Sequence, residues 1–444
     1  MRVVIVGAGE VGFHTARMLS YEGHRVVVIE QDEALVEHMG QRLDALVIQG
    51  NGASPKVLGE ADVEKSDLLV AVTNTDEVNL VACLAAKAQG VPRTVARIHN
   101  ADYHDPRESF ARDRLGIDFV ILTERMAAAE IRESLLVPGT VNVETFAEQR
   151  VEVAEVVLEE GSPALGRAVR DVELPDRSLI VGVVRGGEAI VPKGDTVLRT
   201  RDHVFLICER RDITEVVRAV AADPEPVSDV MILGGGRIGL LLARSLEEVG
   251  IEVKIIEKDE ARARYVASQL KKTLVLHDEG ISREFLLQEG VDKTDAFVAV
   301  TADDRTNLLA AMNARQLGAG LIVAGISQAE FAPLSDALGV DIAISPRLLA
   351  AGAVLRFVRR GEVVAVTLLE SGAQMIELRV PPGARVAGRP LADVDFPEGA
   401  IVGATSRNGE VMIPTGRDVL KPGDKAVVFS VDTAVDKVEK LFAP

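Results

Sequence analysis

The chain has 444 residues, 47% hydrophobic and 27% charged, a balance ordinary for a globular protein and long enough for two to four domains with their own cores. A formal net charge of -18, with no Trp and three Tyr, excludes a nucleic-acid partner, whose phosphates it would repel and whose bases it could hardly stack. Cys83 and Cys208 are too few and too separated for a disulfide framework or a metal site, and no apolar run reaches the roughly 18 residues of a membrane span, so core cysteines and a cytoplasmic chain without a signal peptide are expected.

Met1-Arg2 leads directly into the apolar run Val3-Val4-Ile5-Val6, which breaks into Gly7-Ala8-Gly9-Glu10-Val11-Gly12. An amphipathic helix pattern follows, then a second apolar run, Val26 to Ile29, closed by Glu30. Gly7 permits a tight turn, Gly9 lets the backbone approach a pyrophosphate, and Gly12 lets the helix pack close to the sheet. Unpaired N–H groups at the helix start, around Glu10 and Val11, and the helix dipole favour phosphate there. Glu30, eighteen residues past Gly12, stands where a carboxylate accepts hydrogen bonds from a ribose. A lone GxGxxG is a weak signal; with a strand before it, a helix after it and the acid at this spacing, it points to nucleotide binding.

The chain continues as a helix pattern from Glu33 to Arg42, a strand from Ala45 to Ile48 running into Gly50-Asn51-Gly52, a helix around Ser54 to Gly59, and a strand from Leu68 to Thr73. This alternation predicts a mostly parallel, doubly wound α/β sheet with its ligand crevice at the carboxyl ends of the strands. Gly7, Glu30, Asn51 and Thr73 all fall at such ends. The T-x-x-D-x-x-N-L segment from Thr73 to Leu80 leaves two readings open. Its polar residues cap the following helix, or Thr73 and Asp76 lie over a nucleotide with Asn79 hydrogen-bonding from the first helical turn. A fifth strand, Thr94 to Ile98, carries Arg97 at its carboxyl end, where a cation either neutralises a phosphate or makes a surface ion pair. A sixth, Asp118 to Leu122, precedes a helix pattern from Glu124 to Leu136 ended by Pro138-Gly139. That helix has no place in a plain Rossmann unit and is expected to be a crossover or dimerisation element.

From Val141 the texture changes to short alternating strands, Glu152 to Leu158, Leu179 to Val184, Glu188 to Val191 and His203 to Cys208, with a helix from Ile213 to Ala221. This small α+β module ends at a linker stiffened by two prolines, Asp223 to Pro226. The opening pattern then returns. Val230 to Leu233 leads into Gly234-Gly235-Gly236-Arg237-Ile238-Gly239, and Val253 to Ile256 ends in Glu257, each landmark 227 positions after its counterpart (7 to 234, 30 to 257). Thr301 to Leu308 repeats the T-x-x-D-x-x-N-L segment 228 positions on, and Pro175-Asp176-Arg177 is matched by Pro397-Glu398-Gly399. The period is far too long for a solenoid, so the chain is a tandem duplication. Two Rossmann-like nucleotide domains, 1–138 and 228–360, alternate with two small α+β domains, 139–223 and 361–444.

The two copies differ. Asn51 corresponds to Glu279, Arg97 to Gly325, and Glu10 to Arg237. The second crevice, with Gly234, Gly236, Arg237, Ile238, Gly239, Glu257, Glu279 and Thr301 as candidates, gains carboxylates and loses a strand-end cation, while its loop gains one. The small modules show no phosphate cradle.

With both glycine loops, both T-x-x-D-x-x-N-L segments and both trailing modules, the chain resembles the TrkA family of Trk-type potassium-uptake regulatory subunits. These are tandem RCK (KTN) nucleotide-binding domains, each followed by an RCK C-terminal domain, and the resemblance covers essentially the whole chain. It implies a non-enzymatic regulatory subunit that is cytosolic and reaches the inner membrane only through a TrkH- or TrkG-like potassium transporter. It further implies assembly as a ring, typically a homotetramer, and a response to NAD(H), ATP or ADP. An arginine at the position of Arg237 is able, by the same resemblance, to reach the terminal phosphate of a nucleotide held by the neighbouring domain; the bland reading is a surface cation. The first site is then the main nucleotide site. The rival class is an NAD-dependent dehydrogenase, which needs a positioned acid or base beside the nicotinamide. The seven His do not cluster with Lys, Asp or Tyr, and His99 and His104, next to the fifth strand, read as loop residues.

Overall fold

The structure, a computed structural model, describes the chain except residues 22, 44, 101–102, 104–114, 138, 223–225, 329–330, 359–362, 369–372 and 444. The expected linker, save Pro226, together with His104, Pro138 and the expected boundary after residue 360, lies outside the described residues.

The first half opens β1 (Arg2–Val6), α1 (Glu10–Tyr21), β2 (Arg25–Glu30), α2 (Glu33–Arg42), β3 (Leu46–Gln49), α3 (Pro55–Glu60), β4 (Leu68–Ala71), α4 (Asp76–Ala88), β5 (Arg93–Arg97) and β6 (Phe119–Ile121). The strands form one parallel sheet in the order β3-β2-β1-β4-β5-β6. Parallel strands covered on both faces read as unbroken apolar runs, and β1 is such a run. Val3 and Ile5 enter one core layer, Val4 and Val6 the other, as strand alternation requires. The order reverses between β1 and β4, so the loops after those strands part and leave the crevice that doubly wound sheets use for ligands.

Helix α5 (Thr123–Leu136) leads to β7 (Asn142–Phe146), β8 (Val151–Val157), β9 (Ser178–Arg185), β10 (Glu188–Ile190), β11 (His203–Glu209) and α6 (Ile213–Arg218). These strands make an antiparallel sheet ordered β10-β9-β11-β8-β7. The second copy of the nucleotide domain comprises β12 (Asp229–Leu233), α7 (Arg237–Glu248), β13 (Glu252–Glu257), α8 (Glu260–Gln269), β14 (Leu274–His277), α9 (Arg283–Gln288), β15 (Ala296–Ala299), α10 (Asp304–Leu317), β16 (Leu321–Gly325), α11 (Ala332–Ala337) and β17 (Ile342–Ile344). Its sheet order, β14-β13-β12-β15-β16-β17, repeats the first. After α12 (Pro346–Val358) come β18 (Val363–Leu368), β19 (Ala373–Arg379), β20 (Ala400–Arg407), β21 (Glu410–Met412), β22 (Lys425–Val431) and α13 (Asp432–Phe442), whose sheet, β18-β19-β22-β20-β21, repeats the first small module.

The chain divides into two compact units, residues 1–128 with 344–358, and residues 129–343 with 359–444. Within the first unit, α12 packs on α1 although it follows β17 in sequence. Ala350, Val354, Leu355 and Phe357 share a core with Val11 and Leu19, and the small residues of α12 let the two helices approach closely. The Phe357 ring stacks on Phe119 at 5.3 Å between centroids, with the Arg93 guanidinium 5.8 Å from the Phe357 centroid. Within the second unit, the sheets of the two small modules face each other. Phe205 and Ile207 of one pack against Met375 and Phe429 of the other. A side chain at Gly182 would meet Phe429 at 2.4 Å, and one at Gly403 would meet Val181 at 2.7 Å, so each module supplies the bare backbone its partner fills. Cys83 and Cys208 are both buried and free; burial pushes the Cys208 thiol up to about 12. Among the described residues no helix is long and apolar enough to cross a membrane.

Candidate nucleotide-binding sites

Each glycine of the first loop meets a different neighbour. Gly7 adopts φ +104°, and its N–H donates to Ile29 O at 2.9 Å, which locks the turn onto β2. A Cβ on Gly12 would lie 1.8 Å from Gly7 O, so only glycine lets α1 start this close to the turn. Nothing lies within 4 Å of a Cβ on Gly9, which leaves that backbone open to an approaching ligand. The first amides of α1, at Glu10 and Val11, have no partner within the helix and point along its dipole.

Glu30 fastens this loop as well as facing the crevice. Its Oε2 accepts from Ala8 N at 2.6 Å, and its Oε1 from Gln31 N at 2.7 Å and Asp32 N at 2.9 Å. With about four lone-pair sites on a carboxylate, one remains for a ribose hydroxyl. Glu10 would repel a phosphate, but Arg347 of α12 stands 3.7 Å from its carboxylate and offsets that charge. His14 stands at the same distance; burial, then Arg17, keep its ring below the ordinary histidine range. Exposed Asn51 uses Oδ1 to accept from Ala53 N at 2.9 Å, keeping its amide end outward. Arg97, at the end of β5, reaches Asn74 Oδ1 at 3.4 Å.

The T-x-x-D-x-x-N-L segment turns out to be a lock between strand ends. Asn79 is fully buried; its Oδ1 accepts from Thr73 N at 2.9 Å and Thr73 Oγ1 at 2.7 Å, and its Nδ2 donates to Thr73 O and Arg97 O at 3.0 and 2.8 Å. It ties the end of β4 to the end of β5 and so sets where Thr73 and Arg97 stand in the crevice. Asp76 neither caps α4 nor lies open to a ligand: it accepts from His99 N, the His99 ring and Asn100 N at 2.8 to 3.1 Å. Burial would raise its carboxyl, but those hydrogen bonds outweigh it and hold Asp76 below the usual carboxylate range. His99, read from sequence as a loop residue, is thus a fixed partner of Asp76, with its Nε2 3.8 Å from Glu124 at the start of α5.

The second site repeats this framework. Gly234 has φ +111°, a Cβ on Gly239 would lie 2.0 Å from Gly234 O, and Gly236 is open. Glu257 accepts from Gly235 N at 2.8 Å and Asp259 N at 2.9 Å. Asn307 locks Thr301 to Gly325, and Asp304 accepts from the amides of Ser327 and Gln328. Arg237 and Ile238 open α7, and Glu279 is exposed near the start of the loop after β14. Gly325, where the first copy has Arg97, has room for a side chain: its nearest neighbours would stand 3.6 Å from a Cβ. The sequence reading missed one cation here. Arg262, where the first copy has Leu35, donates from Nε to Gly235 O at 2.7 Å and lies 5.0 Å from the Tyr265 ring centroid, so the second loop is held from α8. Its signal was faint, one of two Arg in α8.

Residues 3–123 and 230–346 match the TrkA-N domain, and residues 153–221 and 375–443 match the TrkA-C domain. The chain is 35% identical over 442 residues to the Trk system potassium uptake protein TrkA homolog of Archaeoglobus fulgidus, and 34% identical over 451 residues to TrkA homolog 1 of Methanosarcina mazei, with 100% of both chains covered in each case. Among solved structures it is similar to the GsuK channel bound to NAD, with a TM-score of 0.66 and 19% identity over 99% of this chain and 78% of that one. It is also similar to GsuK bound to ADP, with a TM-score of 0.53 and 16% identity over 81% and 69% of the two chains. At these identities the likeness to GsuK is one of fold.

Proposed function

Because the chain belongs to the TrkA family of Trk potassium-uptake proteins, we propose that it is a regulatory subunit that binds NAD(H), ATP or ADP in its Rossmann crevices and gates a membrane potassium transporter. The observation that carries this reading is the pair of glycine turns, closed at Gly12 and Gly239 by contact with their own turn carbonyls and left open at Gly9 and Gly236. The domains run 1–138, 139–223, 228–360 and 361–444. Gly7, Gly9, Glu10, Val11, Gly12 and Glu30 hold the nucleotide of the first site, with Asn51, Thr73 and Arg97 lining it. Their counterparts from Gly234 to Thr301 line a weaker second site. Asp76 acts by holding the loop after β5 in place.

The transmission path begins at α1, whose amide end meets the phosphates and whose side packs on α12, the helix that returns from the second half. Nucleotides shift the subunit only by binding one arrangement of α1 and α12 better than another. The subunit works as a homotetrameric ring on the cytosolic face of the membrane, through its TrkH- or TrkG-like partner. Two features favour this over a dehydrogenase: the family's relatives carry potassium-uptake names, and the His99 ring beside the first crevice is committed to Asp76.

Calorimetric titration of NADH, NAD, ATP and ADP into the intact chain tests the reading. Saturable binding that is lost in Gly9→Asp supports it; no binding by any of the four, or NADH oxidation with a panel of carbonyl substrates, overturns it.

A further inference from the structure

The end of α5 meets the first small module at a buried acid. Glu152, on β8, is almost wholly buried, and its Oε2 has no hydrogen-bond partner among the described residues. Its Oε1 lies 3.1 Å from Arg210 Nε, in the turn after β11. The same guanidinium reaches Glu133 of α5, donating at 3.3 and 3.4 Å to the two carboxylate oxygens. One cation therefore serves two carboxylates carried on different elements. The remaining neighbours leave Glu152 no other counter-charge. On β11 its register partner is Cys208, a thiol that burial keeps neutral, and on β7 it is Thr145. The helix α6 covers this face with Ile213, Val216 and Val217, while Asp212 at its head is turned to Arg211 at 3.6 Å. On α5, Arg132 donates to Glu133 at 2.8 Å. Burial pushes the Glu152 carboxyl up to about 7, with Arg210 pulling against it and Glu133 adding to it.

An acid that merely anchors Arg210 would make the same contacts, but the duplication supplies an internal comparison. The second module builds the same sheet 222 positions later (178 to 400, 203 to 425). There Glu152 is replaced by Gln374 and Arg210 by Asp432, and Gln374 Nε2 donates to Asp432 Oδ1 at 3.1 Å. A neutral amide closes that corner, so the sheet does not need a titrating group at this position. The first copy alone sets an acid there, under burial that disfavours its charged form. It does so beside α5, whose first residues belong to one compact unit and whose residues from Ala129 belong to the other.

We infer that Glu152, Arg210 and Glu133 form a proton-controlled clasp on α5, the helix that leads out of the first nucleotide domain. With Glu152 neutral, the guanidinium is left to Glu133 and the end of α5 is held to the module. When Glu152 ionises, a charge shut away from water draws Arg210 to itself, and the two carboxylates repel, so the hold on α5 slackens. Acidification tightens the clasp and alkalinisation loosens it.

Hydrogen–deuterium exchange of the intact chain at pH 6 and pH 8, corrected for intrinsic exchange, tests this. Peptides from the last turns of α5 are expected to lose protection about threefold to fivefold at the higher pH, the scale of one partly exposed ion pair. The change is centred at about 7 and spares peptides from β12 to β15. Glu152→Gln, the residue of the second module, abolishes it. Glu133→Gln abolishes it as well, because Glu152 then titrates without a partner on α5. Thermal melting checks that both variants fold. Exchange in α5 that is the same at the two pH values, a change spread equally over β12 to β15, or one that survives in either variant overturns the inference.

Discussion

At the scale of single residues, Gly9 and Gly12 of the first loop do different work, and the difference is measurable. Gly12→Ala drives a methyl group into Gly7 O, so the helix must retreat, at a cost of about 1–3 kcal/mol of the kind overpacked cores show. Gly9→Ala meets nothing in the protein. Thermal melting should therefore fall for Gly12→Ala and stay level for Gly9→Ala, while calorimetry shows both losing nucleotide affinity, Gly9→Ala by tenfold or more. A buried acid makes the second residue-scale prediction. Glu152 is 1% exposed, and burial, opposed by Arg210 and reinforced by Glu133, pushes its carboxyl up to about 7. Its ordinary value is 4.5, so between pH 4.5 and 7 the folded chain holds a proton that the unfolded chain has released. Stability from this group is therefore present at low pH, falls as pH rises through that window by at most about 1.4 kcal/mol per unit, and is flat above it. Urea midpoints across this range should show the fall in the parent chain and lose it in Glu152→Gln.

At the scale of elements, α12 is the helix on which the proposed transmission path rests. Its apolar side is buried against α1 and β6, and Phe357 is its largest anchor, stacked on Phe119 and capped by Arg93. Phe357→Ala removes that ring from a packed core and should cost about 3–5 kcal/mol. The expected signature is faster amide exchange in α1 and α12 with β12 to β16 unaffected; protection unchanged in α1 would break the proposed link. The locks built by Asn79 and Asn307 belong to this scale as well. Each fastens two strand ends from one helix and so fixes where they stand at the crevice.

At the scale of the whole molecule, the two copies carry different charges around the same framework. The first crevice carries Arg97 and a loop acid offset by Arg347; the second carries Arg237 in its loop and Arg262 behind it. If Arg237 senses a terminal phosphate on the neighbouring domain's nucleotide, Arg237→Ala should erase the preference between ATP and ADP by competition calorimetry while leaving NADH binding intact. An unchanged preference returns Arg237 to the role of a surface cation. Much of this architecture was legible in the chain itself. Glycine spacing, the closing acids and the 227-residue step follow from local rules, since turn chemistry and strand burial act over a few residues. The parallel, doubly wound character of the nucleotide domains needed nothing more, whereas the order of the strands came only with the folded sheet. What only the tertiary structure decided are the partnerships across long separations: Asp76 turned to His99 rather than to a ligand, Arg262 on the second loop, α12 on α1, and Arg210 between Glu133 and Glu152. No periodicity encodes these, because a side chain's partner is set by which surfaces the packed sheets and helices bring together, and neighbours in space here stand up to hundreds of residues apart in the chain.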